Sequence, residues 1–231
     1  MNIPFVPAGD LKHTYRVLGH FYTLQLSAVE PQECRSVLEI TTTTAGNNPV
    51  ADAVFVMMNP GSSRPVEEKN QIICSNQVAE MSVELVPTVP DTTQYQLMRV
   101  MYYRDWQHVR VINLSDLRDP QSGSFAQRYI QLEKESGSSV HSMFSPERLV
   151  QLKRHLSRKP GAPIVCAWGV SDDLNPLIER ATNALAEESG VTGLAKQGQG
   201  NKYFHPLPSL QRQKEQWVAQ MLERLNAKQV K

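Results

Sequence analysis

At 231 residues the chain is long enough for one domain with a sizeable core, and a composition of 40% apolar and 20% charged residues excludes the disordered and membrane-embedded classes. Cys34, Cys74 and Cys166 show no CxxC spacing, which argues against a disulfide framework and a zinc site. The net charge of +1 conceals an asymmetry: residues 1–147 hold 11 Lys and Arg against 16 Asp and Glu, whereas residues 148–231 hold 13 against 7. A basic C-terminal third suits a polyanion-binding face or a plain solvated surface. No apolar run approaches the roughly 18 residues of a membrane span, and MNIPFVPAGDLKH lacks the basic start and apolar stretch of a signal peptide. A cytoplasmic, monomeric protein with no cofactor, no metal and no membrane partner is the expectation.

In chain order, TYRVLGHFYTLQLSAV and RSVLEITTTT, separated by the turn-like VEPQE, read as an antiparallel pair. After a loop at Gly46 to Pro49, Ala53 to Met58 is a continuous apolar run, the pattern of a strand buried on both faces, and it stops at Asn59-Pro60-Gly61. Residues 62–90 are polar and punctuated by proline. Asp91 caps a helix whose apolar side carries Tyr95, Met98, Met101, Tyr102 and Trp106. Val109 to Leu114 is a second strand. The Ser- and Gly-rich stretch 120–145 suggests a long, mobile excursion with one short helix inside it. Ser145-Pro146-Glu147 opens a helix, and Pro163 to Gly169 is a third buried strand. A helix from about Asp172 to Ser189 ends at Gly190, and Val191 to Ala195 is a fourth short strand. After a glycine-bearing polar loop, Ser209 caps a final helix with Trp217, Val218, Met221, Leu222 and Leu225 on one face. The sum is an α/β protein: three α/β/α layers around a central, mainly parallel four-stranded sheet in residues 49–231, preceded by an N-terminal antiparallel hairpin extension in residues 1–48.

In such a sheet the ligand site lies beyond the carboxyl ends of the strands. Those ends are Asn59-Pro60-Gly61-Ser62, Asn113-Leu114-Ser115-Asp116, Trp168-Gly169, and the segment Lys196 to Pro208, with His205 inside it. Each has a plainer reading. Asn, Pro and Gly make ordinary turns, Asn113 is a satisfied polar strand end, His205 is an exposed loop histidine, and Trp168-Gly169 belongs to the core. No GxxxxGK[ST], GxGxxG after a strand, HExxH or GxSxG competes.

Taken in order, FVMMNPGS, VINLSDLRDP, VCAWG and HPLP resemble a family of small bacterial and phage α/β proteins catalogued as a domain of unknown function, and more distantly the uracil-DNA glycosylase superfamily. The resemblance covers roughly 50–225. It implies a DNA glycosylase that flips a base out of the stack and hydrolyses its N-glycosidic bond. Asn59 would orient the attacking water and His205 would donate to the pyrimidine O2, making these two the catalytic residues. Asn113 would bind the base edge, Phe204 or Tyr203 would serve as an aromatic lid and Leu207 as a wedge. Lys196, Lys202 and Arg212 would grip DNA phosphates. The rapid uracil-removing branch has Asp at the first motif and Tyr two positions later, where this chain has Asn59 and Gly61. Gly61 opens the wall beside C5, so the resemblance points to a 5-modified pyrimidine and a role in phage defence, with repair of uracil or mismatched bases as the alternative. A non-catalytic nucleic-acid or nucleotide-binding module and a small-molecule N-ribosyl hydrolase are the readings from other classes.

Overall fold

The computed structural model describes residues 3–27, 29–46, 50–68 and 71–226; of the loop expected at Gly46 to Pro49, only Gly46 lies within them. A short helix α1 (Ala8–Thr14) leads into a long hairpin, β1 (Tyr15–Gln25) and β2 (Gln32–Thr42). Then come β3 (Ala53–Met57), β4 (Arg64–Pro65), β5 (Ile72–Cys74), β6 (Val86–Val89), α2 (Thr92–Arg104) and β7 (His108–Asn113). The second half contains α3 (Ser122–Ser136), α4 (Leu149–His155), β8 (Ile164–Cys166), α5 (Asn175–Ala184), β9 (Val191–Thr192), β10 (Ala195–Lys196), β11 (Gln199–Tyr203) and α6 (Gln211–Asn226). No helix among the described residues is long and apolar enough to cross a membrane.

The four expected strands β7, β3, β8 and β9 lie side by side in that order, all parallel. Val54, Phe55 and Val56 are completely buried because helices cover both faces of β3, which is why its sequence is apolar without alternation. One apolar layer packs α3, α4 and α5 against the sheet through Phe125, Tyr129, Leu152 and Ile178. The opposite layer holds α1, α2 and α6 through Leu11, Leu97, Met101 and Trp217. These are the three α/β/α layers. The hairpin belongs to the same sheet, since β2 pairs antiparallel with β7, β1 follows it, and β5 and β6 both pair with β1.

The hairpin contains one irregularity with consequences for the site. His20 pairs with Val37 and Phe21 with Arg35, so Ser36 is an extra residue on β2. Side chains of a strand alternate faces, and a bulge reverses that parity. Val37 and Cys34 consequently both join the α3 layer, and Arg35 is turned to the α2 side.

Segment 120–145 departs from expectation. It is a packed structure, with α3 running 15 residues and burying Phe125, Ala126, Tyr129 and Leu132, followed by the buried turn Val140 to Ser145. The spacing of Phe125, Tyr129 and Leu132 is helical, and their burial outweighs the helix-weakening Ser and Gly around them. The loop after the fourth strand is instead a small antiparallel pair, β10 with β11. Gly193 permits it, because a Cβ there would lie 2.4 Å from the Cys166 carbonyl oxygen and 2.4 Å from the Tyr203 ring.

Beyond β7, Asp116 and Arg148 form an ion pair at 2.7 Å with both side chains fully buried. Tyr22 Oη donates to the same carboxylate oxygen at 2.8 Å, and Arg148 also donates to Gln151 Oε1 and the Val140 carbonyl. Burial alone would lower the pKa of Arg148, but Asp116 outweighs it and the guanidinium is held above its ordinary value. Removing one partner strands the other charge in the interior. Arg148→Ala is expected to cost about 3–5 kcal/mol of unfolding free energy in urea titration, and Arg148→Met combined with Asp116→Leu to recover most of it.

Candidate active site

The chain enters the parallel part of the sheet at β3, crosses over the α2 face to β7, and then crosses over the opposite, α3 face to β8. The loops after β3 and β7 therefore diverge and leave a crevice at the carboxyl ends of these neighbours. A cavity of about 380 Å³ occupies it. Asn59, Gly61, Asn113, His205 and Leu207 all line this cavity, so five of the residues expected at the site converge on it.

Asn59 is anchored by its amide. Its Nδ2 donates to the Leu117 carbonyl at 3.3 Å and to the Asp119 carbonyl at 2.7 Å. Both amide hydrogens are thus committed, which leaves Oδ1 as an acceptor. Two facing carbonyls also account for an amide here rather than a carboxylate, because an aspartate would present acceptor to acceptor.

His205 accepts a hydrogen bond at Nδ1 from the Leu207 backbone N–H, at 3.2 Å. The proton of the neutral ring is therefore on Nε2, its donor. Burial lowers the pKa of this histidine to about 4, keeping the ring neutral at pH 7.

Asn113 is completely buried at the end of β7, yet neither its Nδ2 nor its Oδ1 has a partner. A buried primary amide with both functions unmet is costly, on the order of 1–3 kcal/mol for each group. It is suited to a ligand edge that offers a donor beside an acceptor.

Gly61 has φ +64°, a left-handed turn conformation that favours glycine on backbone grounds alone. A Cβ there would meet only Asp91 Oδ2, at 3.6 Å. Phe204 is exposed and lies off the cavity; its backbone is engaged by the Leu194 carbonyl and by Trp217 Nε1. Lys196 and Arg212 also lie off the cavity, Arg212 on the exposed side of α6. Lys202 is buried and its ammonium is paired with Asp172, whose carboxyl it holds below the usual range.

Three further wall residues, none of them among the expected site residues, bear on the cavity's chemistry. Trp168, assigned to the core, is both core and cavity wall, with Nε1 bonded to the Asn201 carbonyl. Asp91 caps α2 through Oδ1 and also faces the cavity. Arg35 arrives from β2, turned there by the bulge; a buried arginine amid CRSVLEI was the available signal.

Ser115, His141 and Glu133 form a second constellation. Ser115 Oγ lies 2.8 Å from His141 Nδ1, and His141 Nε2 lies 2.9 Å from Glu133 Oε1. The connectivity is that of a nucleophile relay, but Ser115 and His141 are completely buried and do not line the cavity. Burial opposes the Glu133 charge, but hydrogen bonds from His141 and Arg180 outweigh it and hold its pKa at about 2. The trio ties α3 to the loop after β7. Among the described residues no group of three or more His, Cys, Asp or Glu is placed to hold a metal ion.

No family model matches the chain, and no curated protein or solved structure is significantly similar to it.

The depressed histidine pKa values set a pH dependence. An unfolded histidine takes a proton near its ordinary 6.5, whereas folded His205 and His155 resist protonation down to about 4, in each case chiefly through burial. Stability is therefore expected to be complete above pH 6.5 and to fall as pH drops from about 6.5 to 4. Urea unfolding at stepped pH checks this, and His205→Gln should flatten the fall.

Proposed function

We propose that this protein is a DNA glycosylase that hydrolyses the N-glycosidic bond of a flipped-out, 5-modified pyrimidine. The observation that carries the reading is the unmet amide of Asn113, buried in the same cavity as a neutral, Nε2-protonated His205 and an Asn59 with a free Oδ1. A pyrimidine edge presents adjacent donor and acceptor atoms to an amide in either orientation, so Asn113 suits cytosine or uracil.

The chemistry follows from where charge develops. As the bond from C1′ to the base N1 breaks, the electron pair moves onto the base, mainly at O2, and the sugar gains oxocarbenium character. The Nε2–H of His205 stabilises the anion at O2, and a neutral donor does so without a prior proton transfer. Water held by Asn59 Oδ1 attacks C1′, and its displaced proton ends on solvent or the departing base. The products are a free base and an abasic sugar. An amide oxygen is a poor base, so turnover is limited to what positioning and anion stabilisation supply. The order of NPG, VIN, WG and HPLP along the chain supports the same reading through its resemblance to the uracil-DNA glycosylase superfamily.

Loss of His205 is expected to slow single-turnover base release by roughly 10²–10³-fold, the usual worth of one anion-stabilising donor. Asn59→Ala should lower the rate by a comparable factor with some loss of stability, because it also frees the Leu117 and Asp119 carbonyls. Abasic-site formation on duplex, single-stranded and free-nucleoside substrates measures both effects. Release from nucleosides alone would assign the chain to small-molecule hydrolysis, and tight DNA binding without release would assign it to a binding module. Affinity for DNA should fall steeply with salt through counterion release, with Lys196→Ala and Arg212→Ala lowering it uniformly across sequences.

A further inference from the structure

We propose that Arg35 and Asp91 form a polar subsite at the far end of the cavity that recognises a hydroxyl-bearing substituent at C5 of the pyrimidine. The inference rests on the glycosylase reading and names the substituent chemistry that reading leaves open.

Arg35 is 3% exposed, and its Nε and Nη1 have no hydrogen-bond partner. Burial lowers its pKa to about 10, with Asp91 the leading charge acting against that shift. Asp91 and Arg35 line the same cavity, and no ion pair within 4.0 Å joins them among the described residues. Asp91 Oδ1 accepts from the Gln94 N–H as the cap of α2, and Oδ2 lies nearest the open side of Gly61. A donor and an acceptor that face one cavity unjoined match a group that both accepts and donates, as a hydroxyl does. Asp91 disfavours an anionic substituent there, and Arg35 a cationic one.

Strand order gives the direction. Across the sheet the run is β2, β7, β3, β8, which sets Arg35 at one end, Asn113 and then Asn59 in the middle, and Trp168 beyond them. His205 lies at the opposite end from Arg35, because the Gly169–Tyr203 bridge holds β11 against the end of β8. A pyrimidine with O2 at His205 and its N3 and C4 edge at Asn113 carries C5 away from His205, since C5 and C2 are opposite ring positions. The substituent therefore extends toward Arg35 and Asp91. The bulge at Ser36 is what turns Arg35 to this face, and leaving two donors of a buried guanidinium unmet is unfavourable in the empty protein.

The test compares single-turnover base release from matched duplexes carrying 5-hydroxymethyl or 5-methyl pyrimidine, in the cytosine and uracil series, alongside calorimetric binding of the corresponding free nucleosides. The hydroxymethyl base is expected to be favoured by at least about tenfold, because a site built around a hydroxyl rejects the analogue lacking it. Arg35→Met should bring that ratio toward one with Tm no lower than wild type. Asp91→Asn, which retains the helix cap, should reduce it as well. A wild type indifferent to the hydroxyl overturns the proposal, as does an Arg35→Met variant that loses Tm while keeping the ratio. If no duplex is cleaved, the glycosylase reading fails. The nucleoside-binding preference then decides the subsite by itself, and equal binding of both nucleosides overturns it.

Discussion

The buried pair of Asp116 and Arg148 is the interaction on which the rest of this molecule depends. Asp116 stands three residues past Asn113, and its side chain joins Tyr22 of β1 to Arg148 after α3. Its backbone is equally committed, the N–H to the His141 carbonyl and the carbonyl to the Arg35 N–H. One residue thus fixes the hairpin, the loop after β7 and the segment that leads to α4. The pair is tolerable in the interior because each charge is met by the other and by further hydrogen bonds. Its structural effect is to hold two cavity residues, Asn113 and Arg35, on adjoining strands at a defined offset.

Much of this arrangement is legible in the sequence. VFVMM announces a doubly covered strand because burial on both faces removes alternation, and Asp91 with Gln94 reads as a helix start through the capping box the structure contains. The carboxyl-edge rule then brings Asn59, Asn113 and His205 together without any knowledge of side-chain contacts. What escapes notice has physical reasons. Arg35 sits behind a bulge, and strand parity cannot be counted across an extra residue whose position only the pairing reveals. Helix α3 is hidden by its Ser and Gly content although Phe125, Tyr129 and Leu132 carry the right period. Lys202 looks like a solvated cation until the β10–β11 pair folds it against Asp172.

The two asparagines in the cavity illustrate how the same side chain serves opposite purposes. Asn59 has both amide hydrogens committed to backbone carbonyls, so its orientation is settled before any ligand arrives. Asn113 has neither function met, and its orientation is free to follow whichever edge is presented. Preorganisation is concentrated at Asn59 and adaptability at Asn113, which is the division of labour the proposed glycosylase requires for placing water and reading a base.

The extra residue at Ser36 also bears on how such a cavity can change over time. Chemistry at the end of a strand is normally altered by substitution, one side chain exchanged for another in place. Here the loss of a single codon, that for Arg35, would let Ser36 take its place opposite Phe21 and restore regular alternation, with Val37 and Cys34 still facing the α3 layer. A one-residue deletion in a distant hairpin would therefore exchange a charged wall for a small neutral one, Ser36, while Asn59, Asn113 and His205 stayed where they are. The charged wall and the cluster of Asn59, Asn113 and His205 are encoded in separate stretches of the chain, and can diverge independently in descent.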